Sequence, residues 1–287
     1  MKRHLTRFAQ WFDSSAGEPS TDDRIDWLRV LPFIVLHAGC FGVIWVGWSW
    51  TGIVVALSLY LVRMFAVTAF YHRYFSHRAF QTNRAWQFVF AVLGNTSAQR
   101  GPLWWAAHHR NHHRHSDQEH DAHSPHQHGV LWSHVFWFTT PRNFRTEYEQ
   151  VPDLARYPEL RFLDRFDWVV PALFAATLFA IGGAHLLVWG FFISTVALFH
   201  GTCLINSAAH LMGRRRYETG DESRNSLILA IVTLGEGWHN NHHYSPGSVR
   251  QGHRWWEIDL TWYVLLLLER LGIVSNLRGL PARLQRS

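Results

Sequence analysis

The sequence has almost no lysine and very little cysteine. Lys2 is the only lysine among 287 residues, so arginine supplies nearly all of the positive charge behind the formal net charge of +6. The two cysteines, Cys40 and Cys203, both lie inside apolar runs, which is typical of small buried residues. A disulfide framework and a cysteine-ligated cluster are therefore excluded.

Signatures of several common function classes are missing as well. The N-terminal stretch lacks an apolar core followed by a small-residue cleavage site, so we expect no removable signal peptide. The isoelectric point is near 9.7, but no basic helix or aromatic RNA-binding motif accompanies it, so we expect no nucleic-acid partner. Arginine-bearing loops on one side of a membrane explain the charge better.

Apolar runs alternate with polar stretches along the chain. Hydrophobic residues make up 48% of the sequence, yet the mean hydropathy is −0.10, which indicates one lipid-embedded part and one water-facing part. The runs predict four transmembrane helices in two hairpins, because a span needs a mostly apolar segment that can cross the hydrocarbon core. We place these helices at about residues 30–48, 52–71, 168–182 and 186–210.

The remaining residues predict a helical cap on one side of the bilayer. A polar N-terminal segment, residues 1–25, precedes a single domain, residues 26–287, whose cap consists of residues 72–167 and 211–287. Within the cap, residues 86–107 are too short an apolar stretch to span, so we predict an interfacial or re-entrant helix there. The expected fold class is an all-α, multi-pass integral membrane protein.

The charge pattern also predicts the orientation of these helices. The two candidate outer loops, residues 49–52 and 181–185, contain no lysine or arginine, whereas the other connections carry arginine. The positive-inside rule therefore places both termini and the cap in the cytoplasm.

Histidines recur in four clusters with the spacing of metal ligands. Two clusters are HxxHH arrays, and each directs three imidazoles to one side because positions i, i+3 and i+4 share a helical face. The others are HRYFSH and NSAAH, and the nine imidazoles together are too many for one ion and predict two metals. The candidate ligands are His72, His77, His109, His112, His113, His210, His239, His242 and His243, with Asn206 as an additional amide.

Two of these clusters predict a particular local backbone geometry. On a continuous α-helix His72 and His77 would lie about 140° apart, so we predict that the chain bends between them. Asn206 and His210 are four residues apart and are predicted to share a face at the protruding end of the fourth span. Spacing does not name the element, because imidazole suits Zn, Cu, Fe and Ni alike.

Other histidines are interpreted more simply. The tract that contains His120, His123, His126 and His128 is as typical of a solvated, histidine-rich loop as of a ligand set. His108 lies about 100° around the helix from His109 and is left out of the metal site. The histidines in or beside membrane helices, His37, His185 and His200, are expected to be packing or hydrogen-bonded residues.

The motifs in combination resemble the histidine boxes of the membrane fatty-acyl desaturases, in particular the acyl-CoA delta-9 type. HRYFSH, HHRNHH with SDQEHDAHSP after it, NSAAHLMG and GEGWHNNHH occur in the family's order, from about Thr68 to the C-terminal region. The resemblance implies two iron ions, with dioxygen as co-substrate. It assigns His72, His77, His109, His113 and His242 to one iron, and His112, His210, His239 and His243 to the other, with Asn206 acting through a water.

The resemblance also implies the reaction and the partners. A saturated acyl chain, carried by coenzyme A, would lose hydrogens at C9 and C10 and gain a cis double bond in a bacterial inner membrane. The chain has no dinucleotide-binding glycine motif and no cysteine cluster, so electrons must come from a separate ferredoxin, rubredoxin or cytochrome-type donor and its reductase.

Charged residues supply further candidates. Asp117, Asp121 and Glu236 are placed to orient ligand imidazoles, although capping or surface charge would equally explain them. Arg142 and Arg145 belong to an arginine-rich tract and are candidates to bind coenzyme A phosphates, although the positive-inside rule explains them as well.

Other functions remain open from the sequence alone. A lipid or alkane hydroxylase on the same histidine scaffold, and a desaturase of phospholipid-bound chains, are the alternatives within enzymes. A membrane metal carrier or haem-binding protein is the alternative outside them. NSAAHLMG and GEGWHNNHH favour the desaturase.

Overall fold

The computed structural model describes residues 8–16 and 19–281, and these residues are helical with no β-strand. The prediction of an all-α protein is therefore confirmed for the described part of the chain. The predicted polar N-terminal segment, residues 1–25, and the predicted cap segment, residues 211–287, are described only in part, because residues 1–7, 17–18 and 282–287 lie outside the described residues.

The helices follow one another as short elements in the cap and long ones elsewhere. The α-helices are Trp27–Cys40, Val43–Val46, Trp50–Phe65, Arg84–Asn95, Pro102–His115, Pro125–His128, Pro152–Ala155, Pro158–Arg165, Val169–Leu186, Ser194–Ser207, Leu227–Val232, His239–Tyr244 and Leu260–Arg270. The π-helices are Ala66–Ser76, Trp132–Phe136 and Leu187–Ile193, and the 3₁₀ turns are Trp137–Thr139 and Tyr148–Gln150.

Three helical segments of the described chain are long and apolar enough to cross a membrane. They are Trp27–Val46, Trp50–Ser76 and Val169–Ser207. The first two start at side-chain caps, because Asp26 accepts a hydrogen bond from the Leu28 amide and Ser49 accepts one from the Gly52 amide. Their outer faces are apolar and exposed, which suits contact with lipid.

The third segment is interrupted where the sequence predicts a turn between spans. Gly182 and Gly183 leave the helical conformation, and Gly183 has a φ of 58°, a value that glycine adopts without a steric penalty. The segment of 39 residues therefore holds two helical parts that differ in direction. The count of four transmembrane helices stays a prediction.

The first histidine cluster lies on a π-helix, and the predicted bend between its two histidines is wrong. The backbone of Ala66–Ser76 winds with i to i+5 hydrogen bonds, and the amide of His77 donates to the carbonyl oxygen of His72 at 3.2 Å. The wider turn of a π-helix brings positions five apart nearer to one side than an α-helix does, and the ring centroids of His72 and His77 lie 4.9 Å apart.

Two helices replace the predicted interfacial helix of residues 86–107. The first, Arg84–Asn95, ends before Gly101, and the second, Pro102–His115, carries the second histidine array. Asp164 caps this second helix by accepting hydrogen bonds from the amides of Leu103 and Trp104 at 3.0 and 2.7 Å. A Cβ on Gly101 would lie 2.3 Å from the Asp164 Cα, so the close approach requires glycine.

The histidines of the apolar segments bond to one another or to hydroxyl groups. The Nε2 atoms of His37 and His200 lie 3.0 Å apart, and the other ring nitrogen of His200 lies 3.0 Å from His134. His185 lies 2.9 Å from the hydroxyl of Ser49. These contacts agree with the interpretation of these residues as hydrogen-bonded rather than metal-binding.

Candidate metal centre

Four elements bring the box histidines to one place. They are the end of the second long segment, the helix Pro102–His115, the turn after Ser207 and the short helix His239–Tyr244. His210 lies in that turn rather than on the helix, because the helix ends at Ser207. The predicted common helical face of Asn206 and His210 is therefore wrong, and His210 reaches the site from a turn.

Residues between the histidines fasten these elements together. The Arg110 guanidinium donates to the carbonyl oxygens of Phe75 and Ser76, each at 2.9 Å, which ties the second array to the first. Asn240 accepts hydrogen bonds from the amides of Arg216 and Tyr217 at 2.7 and 2.8 Å. The spacer residues of both arrays thus fix the position of the histidines beside them.

The nine candidate histidines form two groups, and within each group the ligand atoms lie within 4.8 Å of one another. In the first group His242 Nε2 is 3.0 Å from His72 Nε2 and 2.9 Å from His113 Nε2. The members are His72, His77, His109, His113 and His242. These are the five residues that the resemblance assigns to one metal.

The second group adjoins the first. His210 Nε2 lies 3.0 Å from His239 Nε2, and the His243 ring stacks on His113 of the first group with 4.4 Å between ring centroids. The members are His112, His210, His239 and His243. The two groups therefore form neighbouring ligand sets, as a pair of metal ions would require.

Four carboxylates contact the outer ring nitrogens of these histidines. The Nδ1 atoms of His112, His210 and His243 donate to Asp121, Asp117 and Asp221 at 2.9, 2.7 and 2.7 Å. Glu236 contacts Nδ1 of His72. Sequence reasoning named three of these acids and missed Asp221, which lies in a polar loop with no spacing signal relative to the arrays.

This arrangement fits a metal ion. A carboxylate that accepts from Nδ1 fixes the tautomer, so Nε2 keeps its lone pair and points into the group. In the first group the bare Nε2 of His72 faces His242 Nε2 at 3.0 Å, and in the second group the buried Nε2 of His243 has no hydrogen-bond partner. Ring nitrogens that converge so closely offer a site in which a cation can bind several of them.

Burial keeps six of the nine imidazoles in the form that binds metals. Desolvation, reinforced by neighbouring imidazoles, holds the pKa of His77, His109, His113, His239 and His242 well below the usual 6.5. Burial likewise lowers the pKa of His243 to about 4. Neutral imidazole is the ligand form, so these groups need not lose a proton to bind a metal at neutral pH.

Asn206 and the candidate arginines lie at different distances from this centre. Asn206 lines a narrow cavity of about 40 Å³ together with His112 and His239, which suits its proposed contact through a water. Arg142 is exposed and forms an ion pair with Asp23 at 2.6 Å, while Arg145 is exposed. Neither arginine contacts the histidine groups.

The histidine-rich tract is not simply a solvated loop. His123 is buried and its ring centroid lies 4.5 Å from that of His112, while His126 and His128 contact the carbonyl oxygens of His210 and Asp121. His120 is exposed. His123 also forms a possible ligand triad with His112 and Asp121, although Asp121 already holds the outer nitrogen of His112.

Arg73 is a second residue that sequence reasoning missed. It lies inside the HRYFSH motif, is 1% exposed, and donates to both Glu236 and Asp259. Because Glu236 also contacts His72, Arg73 supports the carboxylate that orients a ligand. The motif itself, an arginine directly after the first histidine, was the signal that could have identified it.

Removal of one orienting carboxylate should weaken metal binding. We expect Asp221→Asn to lower the affinity of the second group about 10- to 100-fold, because the amide no longer favours the tautomer with a bare Nε2. The measurement is the metal content of the purified protein during titration with a chelator. Glu222→Gln, at the next position but bonded to Arg215 and Arg224, is the matched control. Equal metal retention in both variants would contradict an orienting role for Asp221.

Comparison with known proteins gives one consistent result. A model of the fatty acid desaturase family matches residues 48–270. The chain is 37% identical over 276 residues to the sn-2 palmitoyl-lipid 9-desaturase of a Nostoc strain, covering 94% of this chain and 96% of the relative.

Two further relatives have different named substrates. The sn-1 stearoyl-lipid 9-desaturase of Anabaena variabilis is 37% identical over 262 residues, covering 90% of this chain and 96% of the relative. An acyl-CoA 5-desaturase of Anemone leveillei is 39% identical over 267 residues, covering 89% and 83%.

Proposed function

Since the chain belongs to the fatty acid desaturase family, whose members are oxidoreductases of lipid metabolism, we propose that it introduces a cis double bond at C9–C10 of a saturated acyl chain. The observation that carries this proposal is the pair of adjoining histidine groups beside a narrow cavity. Two of the relatives described above are named 9-desaturases, which supports the proposed position.

We propose that the two groups hold two iron ions, with Asn206 contributing through a water to the second. Iron would supply the redox chemistry, because it changes oxidation state and can activate dioxygen, which zinc cannot do. Most di-iron bundles use glutamate ligands, whereas both groups here are built from neutral imidazoles. The carboxylates Asp117, Asp121, Asp221 and Glu236 act on the rings from outside and balance part of the cationic charge.

The narrow cavity is the proposed place of the acyl chain. Its wall includes apolar side chains, such as Met64, Val67 and Ile205, beside His109 and His239. Apolar walls exclude water and favour an extended hydrocarbon chain, so the carbons to be oxidised lie next to the histidine groups. Trp105 also lines the cavity and stacks on His109, with 4.9 Å between ring centroids, which holds that ring in place.

The membrane segments explain how such a substrate arrives. A saturated chain partitions into lipid, and three segments of the described chain are long and apolar enough to span the bilayer. We propose that the cap and both termini face the cytoplasm of a bacterial cell, where a separate redox protein docks and supplies electrons. The relatives are named for lipid-linked and for CoA-linked acyl chains. We therefore propose that residues outside the metal centre select the molecule to which the acyl chain is attached.

The test is product analysis in a host that makes no unsaturated fatty acids. We expect the full-length chain to produce a fatty acid with a cis double bond, located at C9 by mass spectrometry. His112→Ala, expressed at the same level, should produce none, because His112 belongs to the second group. A hydroxylated fatty acid with no new double bond would overturn desaturation in favour of hydroxylation. A double bond at another position would overturn the C9 assignment alone.

A further inference from the structure

A second and larger cavity lies beside the helix Pro102–His115, outside both histidine groups. Its volume is about 300 Å³, compared with about 40 Å³ for the narrow cavity. Its lining is polar and includes Asp23, Asn111, Glu119, Trp132, Arg142 and Glu147. A volume of this size is at the lower limit of typical small-molecule sites, so it suits a head group of a few rings or less.

The larger cavity is next to the proposed place of the acyl chain. Asp121 lines the larger cavity and accepts a hydrogen bond from His112, whose ring lines the narrow one. The larger cavity also touches the start of the first long segment, because the Arg142 amide donates to Asp22, four residues before the Asp26 cap. A lipid at this position would have its head group in the larger cavity and an acyl chain near the metal centre.

The charges of this cavity do not suit a polyphosphate. Four acidic residues line it, the exposed Asp23, Glu119 and Glu147 and the buried Asp121, and Arg142 is the one permanently positive side chain among the described lining residues. Arg142 is already paired with Asp23 at 2.6 Å, and Arg145 does not line the cavity. Coenzyme A phosphates would therefore meet like charges, which oppose binding.

The polar groups of the cavity suit hydroxyl groups instead. Carboxylates accept hydrogen bonds, and the amide of Asn111 can both donate and accept, so together they match hydroxyls that do both. The Nε2 atom of His108, which also lines the cavity, is buried without a hydrogen-bond partner. Trp132 adds an aromatic side chain against which the apolar face of a sugar ring can pack.

We propose that this cavity binds an uncharged, hydroxyl-rich lipid head group, such as a glycosyl group, so that the enzyme acts on neutral lipid-linked chains in preference to acyl-CoA. This inference rests on the proposed desaturase function and names the carrier of its acyl chain. It departs from the interpretation of Arg142 and Arg145 as ligands of coenzyme A phosphates.

Binding can be tested without turnover. The purified protein, without a reductant and in a neutral detergent, is titrated with distearoyl monogalactosyldiacylglycerol, distearoyl phosphatidylglycerol and stearoyl-CoA in separate experiments. We expect the galactolipid to bind about tenfold or more tightly than either anionic compound, because like charges disfavour the anions. Octyl galactoside should compete with the galactolipid, since it carries the same head group. Equal or tighter binding of phosphatidylglycerol or stearoyl-CoA would overturn the proposal.

Charge reversal inside and outside the cavity gives a matched comparison. Glu147→Lys should reduce the preference for the galactolipid over phosphatidylglycerol about tenfold, because it replaces a repulsive charge with an attractive one. Glu149→Lys changes an exposed carboxylate that does not line the cavity, and it should leave the preference unchanged. Glu119→Lys provides a second variant of the cavity wall. If the Glu147 and Glu149 variants shift the preference equally, general surface charge explains the effect and the site is wrong.

The same protein separates this inference from the proposed function. When it is supplied with a reductant and dioxygen, the galactolipid should be the preferred source of double bonds. A galactolipid preference in binding with no double bond in any lipid would refute the desaturase function and leave the head-group site standing. Double bonds formed mainly in stearoyl-CoA would support the desaturase function and refute the head-group site.

Discussion

His242→Ala is expected to abolish double-bond formation and to empty the first histidine group. His242 is 2% exposed, and its Nε2 atom lies 3.0 Å from His72 Nε2 and 2.9 Å from His113 Nε2. Its ring centroid is also 4.6 Å from that of His77. His242 is therefore the residue at which the ligands of three elements meet, and alanine leaves them around a water-sized gap.

The size of the loss expected for His242→Ala follows from the central position of His242 in the first group. Loss of a residue that only orients a ligand costs about 10- to 100-fold in metal affinity or activity, so loss of a central ligand should exceed about 100-fold. The measurement pairs the metal content of the purified protein with the yield of unsaturated fatty acid from the same cells. We expect less bound metal and no detectable product.

A matched histidine outside the groups provides the control. His185 lies in the third apolar segment, and its Nε2 atom lies 2.9 Å from the hydroxyl of Ser49. His185→Ala should keep both metal and product. If His242→Ala retains wild-type product while its metal content falls, the first group is not the reactive centre.

Helical spacing alone predicts much of the metal site. The i, i+3, i+4 pattern predicts that His109, His112 and His113 share one face of a helix, and the structure divides them between the two adjoining groups. The same pattern holds in the short helix His239–Tyr244. Local spacing is sufficient here because each array is one helical turn long and needs no distant contact to set its geometry.

The parts that could not be predicted depend on the packing of distant residues. The π-helix at Ala66–Ser76 breaks the 100° periodicity on which the predicted bend between His72 and His77 rested. Asp221 contacts His243 across 22 positions, and the loop that carries Asp221 is held to the helix of His243 by Asn240, which accepts a hydrogen bond from the amide of Tyr217. A single sequence contains no periodic signal for such a contact.

The third apolar segment also has features that the sequence predicts and one that it does not. Its composition predicted both the apolar runs and the turn at Gly182-Gly183, where the backbone leaves the helical conformation. The predicted end of the fourth span at residue 210 is wrong, because the helix ends at Ser207 and His210 reaches the site from the turn that follows. Apolar length sets where a helix can lie in a membrane, but contacts with the cap decide where it stops.

The buried ion cluster around Arg73 should be the most sensitive point of the fold. Arg73 is 1% exposed and donates to Asp259 at 3.0 Å, to Glu236 at 2.9 Å and to the carbonyl oxygen of Val249 at 2.7 Å. Both carboxylates are also buried, with exposures of 5% for Glu236 and 0% for Asp259. One guanidinium therefore pairs with two carboxylates that water cannot reach.

Arg73→Met is expected to destabilise the protein by about 3–5 kcal/mol, because removal of one partner leaves uncompensated buried charge. The backbone cannot easily adjust, since a Cβ on the neighbouring Gly235, which has a φ of 129°, would already lie 2.5 Å from Asp259 Oδ1. The carboxylate of Glu236 would also lose one of the two partners, Arg73 and Gln251, that hold it beside His72. We therefore expect both a lower melting temperature and weaker metal retention.

Thermal unfolding in detergent, with metal content measured on the same sample, tests this expectation. Arg84→Met removes an arginine of the same kind from an exposed pair with Glu159, and it should leave the melting temperature nearly unchanged. Adding Glu236→Gln and Asp259→Asn to Arg73→Met removes the buried charges and should recover part of the stability. Weaker metal retention should persist in the triple variant, because glutamine no longer orients His72 as a carboxylate does. A melting temperature for Arg73→Met equal to that of Arg84→Met would show that the two buried acids find another counter-charge.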